Sequence, residues 1–284
     1  MSYNRILIEN KIREFLIEDN NYIDVSSKVI PLESITSAKI LTKSNGYISG
    51  LEEVQILFNI LKVDVKLNKF DGEQIKKGEI LAELTGNTRN ILLGERVALN
   101  LMCHMSAITT TTRKFVDIVD KERKKIKVAC TRKTLPGLRI FEKKAVELGK
   151  GDTHRFSLDD MILLKDTHLK FFNGDVRSLI LKTKSLSSFS KKIEIEVEKV
   201  DDVVIAAESG ADIIMLDNMS PDLAQKAIAS LKTKNLRNKV LIEISGNISL
   251  KNVQDYLPVE PDVISSSILT QNPTEIVDLT LHFD

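Results

Sequence analysis

The chain has 284 residues, 42% of them hydrophobic and 29% charged, enough for one large domain or two ordinary ones around a sizeable core. Its 41 Lys and Arg against 40 Asp and Glu leave a net charge of +1, so no global field draws nucleic acid or a membrane surface. Its two cysteines exclude a disulfide framework.

Met1–Asn21 carries scattered charges and no apolar h-region, so it does not read as a signal peptide. No apolar run reaches the ~20 residues that a bilayer requires, and the expected location is the cytoplasm. Ile6-Leu7-Ile8 is a first apolar run, followed by a helical stretch through Phe15 and Leu16. Ala38–Lys43 and Val63–Leu67 read as strands, with turn signals at Asn45-Gly46, Asp71-Gly72 and Lys77-Gly78. Short strands at this spacing predict an α+β domain with an antiparallel or mixed sheet. Thr88–Val119 has a helical pattern, with Leu93, Val97, Leu101 and Met105 four residues apart. The run Thr109–Thr112 is poor helix material and predicts a break or kink.

After Lys125 the rhythm becomes strand, loop, helix. Predicted strands are Ile126–Cys130, Met161–Lys165, Ile193–Val197, Asp212–Asp217, Val240–Ser245 and Asp262–Ser266. Helical stretches Asp201–Ser209, Asp222–Ser230 and Leu250–Tyr256 lie between the later ones, which implies a parallel sheet with right-handed crossovers. The polar candidates gather at the strands' C-terminal ends: Arg132 and Lys133, Lys165 and Asp166, Glu196, Asp217 and Asn218, Ser245 and Gly246, and Ser265–Ser267. A parallel barrel puts all those ends on one face, whereas an open sheet spreads them along an edge. The predicted fold is therefore α/β.

Residues 121–170 hold 14 Lys or Arg and 7 Asp or Glu, a local balance of +7. Arg132, Lys133, His154, Arg155, Lys165 and His168 stand among these beside glycines and short apolar runs, as a site for a highly anionic small molecule requires. Ile193–Glu198 alternates apolar residue and glutamate. It reads either as an edge strand with a solvated acidic face or as a barrel strand aiming Glu196 at the site. Asp217 ends a buried strand, as a ligand to Mg²⁺ or ribose hydroxyls, or as a helix cap before Ser220-Pro221. The loops at 245–247 and 265–267 have small residues that let backbone N–H groups approach a phosphate, though each alone is also an ordinary turn. The four histidines have no zinc-ligand spacing; His104 and His282 read as structural. Cys103 and Cys130 read as small buried hydrophobes.

Taken together, Gly94-Glu95-Arg96-Val97-Ala98-Leu99-Asn100, Thr131–Leu138, His154-Arg155-Phe156, Leu158–Met161, Leu164–His168, Glu194-Ile195-Glu196, Met215–Pro221 and Ser245-Gly246 resemble the quinolinate phosphoribosyltransferase family, the carboxylating nicotinate-nucleotide pyrophosphorylases. The resemblance covers most of the chain. It implies an N-terminal α+β sandwich-like domain over 1–107, to which 273–284 are candidates to return. It also implies an incomplete, seven-stranded parallel α/β barrel over 108–272. The implied reaction joins quinolinate to phosphoribosyl pyrophosphate, giving nicotinate mononucleotide, pyrophosphate and CO₂ for NAD synthesis. By matching position, Arg132, Lys133, His154 and Arg155, with Thr131 beside them, hold the two quinolinate carboxylates. Arg96 reaches in from the partner of a homodimer that shares its sites, alone or within a higher assembly. Lys165 and His168 face the donor's phosphates. Glu196 and Asp217 take ribose hydroxyls and Mg²⁺. Ser245, Gly246, Asn247, Ser266 and Ser267 hold the 5′-phosphate. The catalytic set is Lys133, Lys165, Glu196 and Asp217.

The chain departs from the family pattern at Asn247 and Ser267, where glycine is usual, and at Gln271, where histidine is usual. Asp24-Val25-Ser26-Ser27 lacks the usual preceding glycine, and Ser106-Ala107-Ile108 replaces Ser-Gly-Ile. The alternative is a paralogue of the same fold, such as the molybdenum-transport-associated relative or a transferase for another base. A generic sugar-phosphate isomerase or lyase barrel leaves Arg96, Arg132 and Arg155 without a task.

Overall fold

The computed structural model describes residues 3–121 and 125–284. Met1 and Ser2 of the N-terminal stretch, and Glu122, Arg123 and Lys124 of the region of local positive balance, lie outside the described residues. The chain forms two compact units: Met1–Arg113 with Pro136–Gly149 and Pro273–Asp284, and Lys114–Leu135 with Lys150–Asn272.

In the first unit, α1 (Arg5–Asp19) is capped by Asn4, whose side chain accepts from the N–H groups of Ile6 and Leu7. The Ile6–Ile8 run is thus the helix's first turn, and Ile8, Ile12 and Leu16 form its buried stripe. β1 (Ile35–Thr42), β2 (Gly46–Tyr47), α2 (Leu51–Ile60), β3 (Asp64–Leu67), β4 (Gln74–Ile75) and β5 (Ile80–Asn87) follow. The main sheet runs β12-β1-β5-β3, where β12 is the C-terminal strand Leu279–Phe283; its pairings are antiparallel.

α3 runs unbroken from Thr88 to Lys121, so the break expected at Thr109–Thr112 does not occur. Tertiary hydrogen bonds outweigh the low propensity. Thr109 Oγ1 donates to the Ala145 carbonyl at 2.9 Å, Thr110 Oγ1 accepts from Tyr47 N–H at 2.9 Å, and Thr111 Oγ1 accepts from Glu275 N–H at 3.1 Å. Each bond contributes about 1 kcal/mol, more than the few tenths that separate Thr from a good helix former. α3 also qualifies by length and composition as a membrane span, unlike any run identified above, but 61% of its most apolar stretch is buried inside the protein. It is a core helix. α4 (Arg139–Leu148) completes this unit. Its Lys144 is buried among Glu52 (2.6 Å), Glu53 (2.8 Å) and Asp71 (3.7 Å).

The second unit holds a parallel six-stranded sheet in the order β6-β11-β10-β9-β8-β7. The strands are β6 (Lys127–Ala129), β7 (Ile162–Leu164), β8 (Ile193–Val197), β9 (Ile213–Asp217), β10 (Leu241–Ser245) and β11 (Val263–Ser265). Six strands pair where seven were expected; at the β6 edge the next position is one parallel bridge, Ala129 to Asp152. α5 (Asp166–Phe171), α6 (Val176–Leu186), α7 (Val200–Ser209), α8 (Pro221–Thr233), α9 (Val253–Tyr256) and α10 (Ile268–Gln271) alternate with the strands. Ile195, Ile214, Leu216, Ile242, Ile244 and Ile264 are at most 1% exposed, as strands covered on both faces require. Because β8 pairs with both β7 and β9, it is not an edge strand, and its glutamates are not a solvated face.

Candidate active site

One cavity of about 840 Å³ opens at the C-terminal ends of these strands, and all of its lining comes from the second unit. The loop after β6 contributes Thr131, Arg132 and Lys133, and the loop before β7 contributes His154 and Arg155. Lys165 follows β7, Glu196 lies near the end of β8, and Asp217 ends β9. Ser245, Gly246, Asn247, Ser266 and Ser267 line the cavity from the last two strand ends. Every site residue predicted from sequence is thus gathered here except two. Arg96 stands on α3 in the first unit. His168 lies in α5, exposed, and its Nδ1 accepts from the Lys165 backbone N–H at 3.0 Å. It caps a helix and does not line the cavity.

Several local devices aim these groups. The α8 N-cap is Ser220, with Pro221 opening the helix, so Asp217 is not the cap and its carboxylate belongs to the cavity wall. Lys165 Nζ makes an ion pair with Glu196 Oε1. Burial pushes the Glu196 carboxyl above its ordinary range; Lys165 opposes this, and the Asp217 charge adds to it. Arg132 Nε is buried without a hydrogen-bond partner, and so is Ser265 Oγ on the same cavity wall. Both residues line the cavity, so each brings an unsatisfied buried polar atom to its wall. Arg155 is only 8% exposed; burial draws its pKa down, and the neighbouring Arg132 charge does the same.

His154 belongs to a cluster that sequence reasoning missed. His154 Nε2 is 3.1 Å from Glu243 Oε2 and 3.4 Å from Glu194 Oε2. Both glutamates are at most 1% exposed. Burial alone lowers the imidazole pKa, but the two carboxylates overcome it and push the value up to about 10. The Arg155 N–H, 2.7 Å from Nδ1, favours the neutral ring. One backbone hydrogen bond, worth about 1 kcal/mol, is less than the several kcal/mol that two uncompensated buried carboxylates cost. The imidazolium form is therefore the one this environment selects, and burial correspondingly raises the Glu194 carboxyl. The three ligand atoms lie within 4.8 Å of one another, close enough to hold a cation, and the ring itself supplies that positive charge. The signal was legible in Leu241-Ile242-Glu243-Ile244, an acid inside an apolar parallel strand.

Three of the departures from the family pattern, Asn247, Ser267 and Gln271, stand at or just after the strand-end loops. Asn247 adopts φ +52°, in the left-handed region that asparagine tolerates better than most residues. Ser267 sits at φ −73°, where glycine's freedom is not needed. Gln271 is exposed and closes α10 through its backbone N–H.

The family models described as quinolinate phosphoribosyl transferase, N-terminal and C-terminal domains, match residues 24–106 and 108–282. The chain is 43% identical over 251 residues to the probable nicotinate-nucleotide pyrophosphorylase [carboxylating] of Archaeoglobus fulgidus, covering 88% of this chain and 95% of that protein. It is 36% identical to the nicotinate-nucleotide pyrophosphorylase [carboxylating] of Dictyostelium discoideum, covering 96% of this chain and 95% of that one. The crystal structure of NadC from Streptococcus pyogenes superposes with a TM-score of 0.91 at 31% identity, over 100% of this chain and 99% of that one. These matches extend over both units and the cavity, and the chain belongs to the quinolinate phosphoribosyl transferase family.

Proposed function

We propose that this protein is a quinolinate phosphoribosyltransferase, a decarboxylating pentosyltransferase of NAD synthesis that works as a soluble cytoplasmic homodimer. The observation that carries the reading is one cavity that gathers a cationic set, Arg132, Lys133, His154 and Arg155, together with an acidic pair, Glu196 and Asp217. Quinolinate is a dianion, and guanidinium forks suit its two carboxylates. Phosphoribosyl pyrophosphate has ribose hydroxyls for Glu196 and Asp217, and phosphates for Lys165 and the strand-end loops. Arg96 is contributed by the partner subunit, and His168 supports Lys165 by fixing the turn that carries it. The relatives described above carry the carboxylating enzyme's name, so the molybdenum-transport alternative has no comparable support.

In the reaction the quinolinate ring nitrogen forms the bond to ribose C1 as the bond from C1 to pyrophosphate oxygen breaks. Glu196 and Asp217 stabilise the positive charge that develops on the sugar. Arg132, Lys133, His154 and Arg155 hold the acceptor so that its nitrogen faces C1, replacing a bimolecular encounter by a positioned one. The quaternised ring then accepts the electron pair of the breaking bond to its adjacent carboxylate. CO₂ leaves, and a proton takes its place on the ring. No covalent enzyme intermediate is required. Mg²⁺ fits the donor set, since Glu196 and Asp217 offer hard carboxylate oxygens on the cavity wall, and this ion is ordinarily held by one or two carboxylates and substrate phosphates. When bound, it offsets the charge of the departing pyrophosphate.

Purified protein with Mg²⁺, quinolinate and phosphoribosyl pyrophosphate is expected to form nicotinate mononucleotide, measured by chromatography. No mononucleotide from either quinolinate or nicotinate refutes the enzyme reading.

A further inference from the structure

Asn218, and the side chain of Asn247 as distinct from its phosphate-loop backbone, have no task in the reaction just described. Asn218 follows Asp217 at the end of β9, and Asn247 lies in the loop after β10. Asn218 Nδ2 donates to Asp217 Oδ2 at 3.0 Å, and Asn247 Nδ2 donates to Asn218 Oδ1 at 3.1 Å. The direction of this chain is fixed by its end. A carboxylate only accepts, so the Asn218 nitrogen must face Asp217, its oxygen must face Asn247, and the Asn247 nitrogen must donate.

Each link is anchored independently. The Asn218 backbone N–H donates to the Ser245 carbonyl at 2.9 Å, tying the two strand-end loops together. The Asn247 carbonyl accepts from Asn252 Nδ2 at 3.0 Å. Gly246, at φ +99°, makes room: a Cβ there would lie 2.3 Å from Asn218 Oδ1. Asn218 and Asn247 themselves stand at φ +53° and φ +52°, a backbone that asparagine accepts at little cost.

We infer that Asn247 and Asn218 form an amide relay that holds the Asp217 carboxylate in one rotamer, so that both are positioning residues for binding of the sugar donor. The relay explains why the loop tolerates a side chain at 247: it is turned away from the phosphate position and toward Asn218. The inference rests on the proposed role of Asp217 and would not survive its loss. Both amides are exposed to cavity water, so each link is worth a modest factor, about fivefold in affinity.

The test uses Asn247→Gly and Asn247→Asp in the full-length protein. Glycine tolerates the backbone and removes the donor; aspartate keeps the shape and replaces the donor by an acceptor. Equilibrium binding of phosphoribosyl pyrophosphate with Mg²⁺ and no quinolinate is expected to weaken about fivefold for glycine. For aspartate it should weaken at least as much, because a second carboxylate repels the donor's phosphates. Turnover is expected to show KM for the donor raised by a similar factor and KM for quinolinate unmoved, with the thermal midpoint of the glycine variant at the wild-type value. Unchanged donor binding in both variants overturns the relay. So does an equal rise in both KM values, which a merely structural role for the loop would give. Failure of the wild-type protein to make any mononucleotide is a different outcome, and it overturns the functional reading itself.

Discussion

Replacing Glu243 by Gln tests the buried charge cluster directly. In the wild type, Glu194 and Glu243 move the His154 pKa from 6.5 to about 10 against burial, which corresponds to about 5 kcal/mol between the two protonation states. Glu243 makes the closer contact, 3.1 Å against 3.4 Å for Glu194. Removing its charge while keeping an amide of similar shape leaves one carboxylate against the same burial, so the variant ring should titrate well below the wild-type value. The group's folded pKa is raised, so its contribution to stability is complete below pH 6.5 and is lost as pH rises through about 10. In Glu243→Gln the loss comes at correspondingly lower pH. Nuclear magnetic resonance of labelled histidine reads this, with only four histidines in the chain and His154→Asn to assign the signal. At pH 9 the variant should also show KM for quinolinate about tenfold above wild type, the factor expected once the ring has lost its charge. A wild-type His154 titrating near pH 6.5, or a variant titrating like the wild type, would refute the reasoning.

Three further outcomes follow from the structure. Lys144→Met leaves Glu53 and Asp71 buried without their cation, which should cost about 3–5 kcal/mol by urea unfolding at neutral pH. Burial already raises both carboxyls, so the loss should shrink as the pH falls and they take up protons. Gly246→Ala places a Cβ 2.3 Å from Asn218 Oδ1 at a φ of +99°, and should cost about 1–3 kcal/mol of thermal stability while weakening donor binding. Inactive Arg96→Ala and Glu196→Ala proteins, mixed under exchange conditions, should regain partial activity through hybrid dimers. No regain in a verified mixed dimer argues against a shared site.

The parallel strands were legible because each is a short apolar run ending in chemistry, and Ile213–Asp217 and Leu241–Ser245 fall within a residue of expectation. The threonine run misled because its hydroxyls find partners in Ala145, Tyr47 and Glu275, and such partners are invisible to local propensity. Alternation in Ile193–Glu198 put Glu194 and Glu196 on one face. It could not show that one ends on the cavity wall and the other beneath His154, since that depends on the register of neighbouring strands. His168 was chosen for its basic company, whereas its ring is used to close a short helix. Asn218 and Asn247 lie 29 residues apart, and only the juxtaposition of two strand ends reveals their contact.

The claim that the cationic set is built for two carboxylates is tested most directly by offering quinolinate and nicotinate together, with phosphoribosyl pyrophosphate limiting. The account predicts that quinolinate is consumed with one CO₂ released per mononucleotide formed, while nicotinate is left. Preferential use of nicotinate, or mononucleotide formed without CO₂, would contradict it.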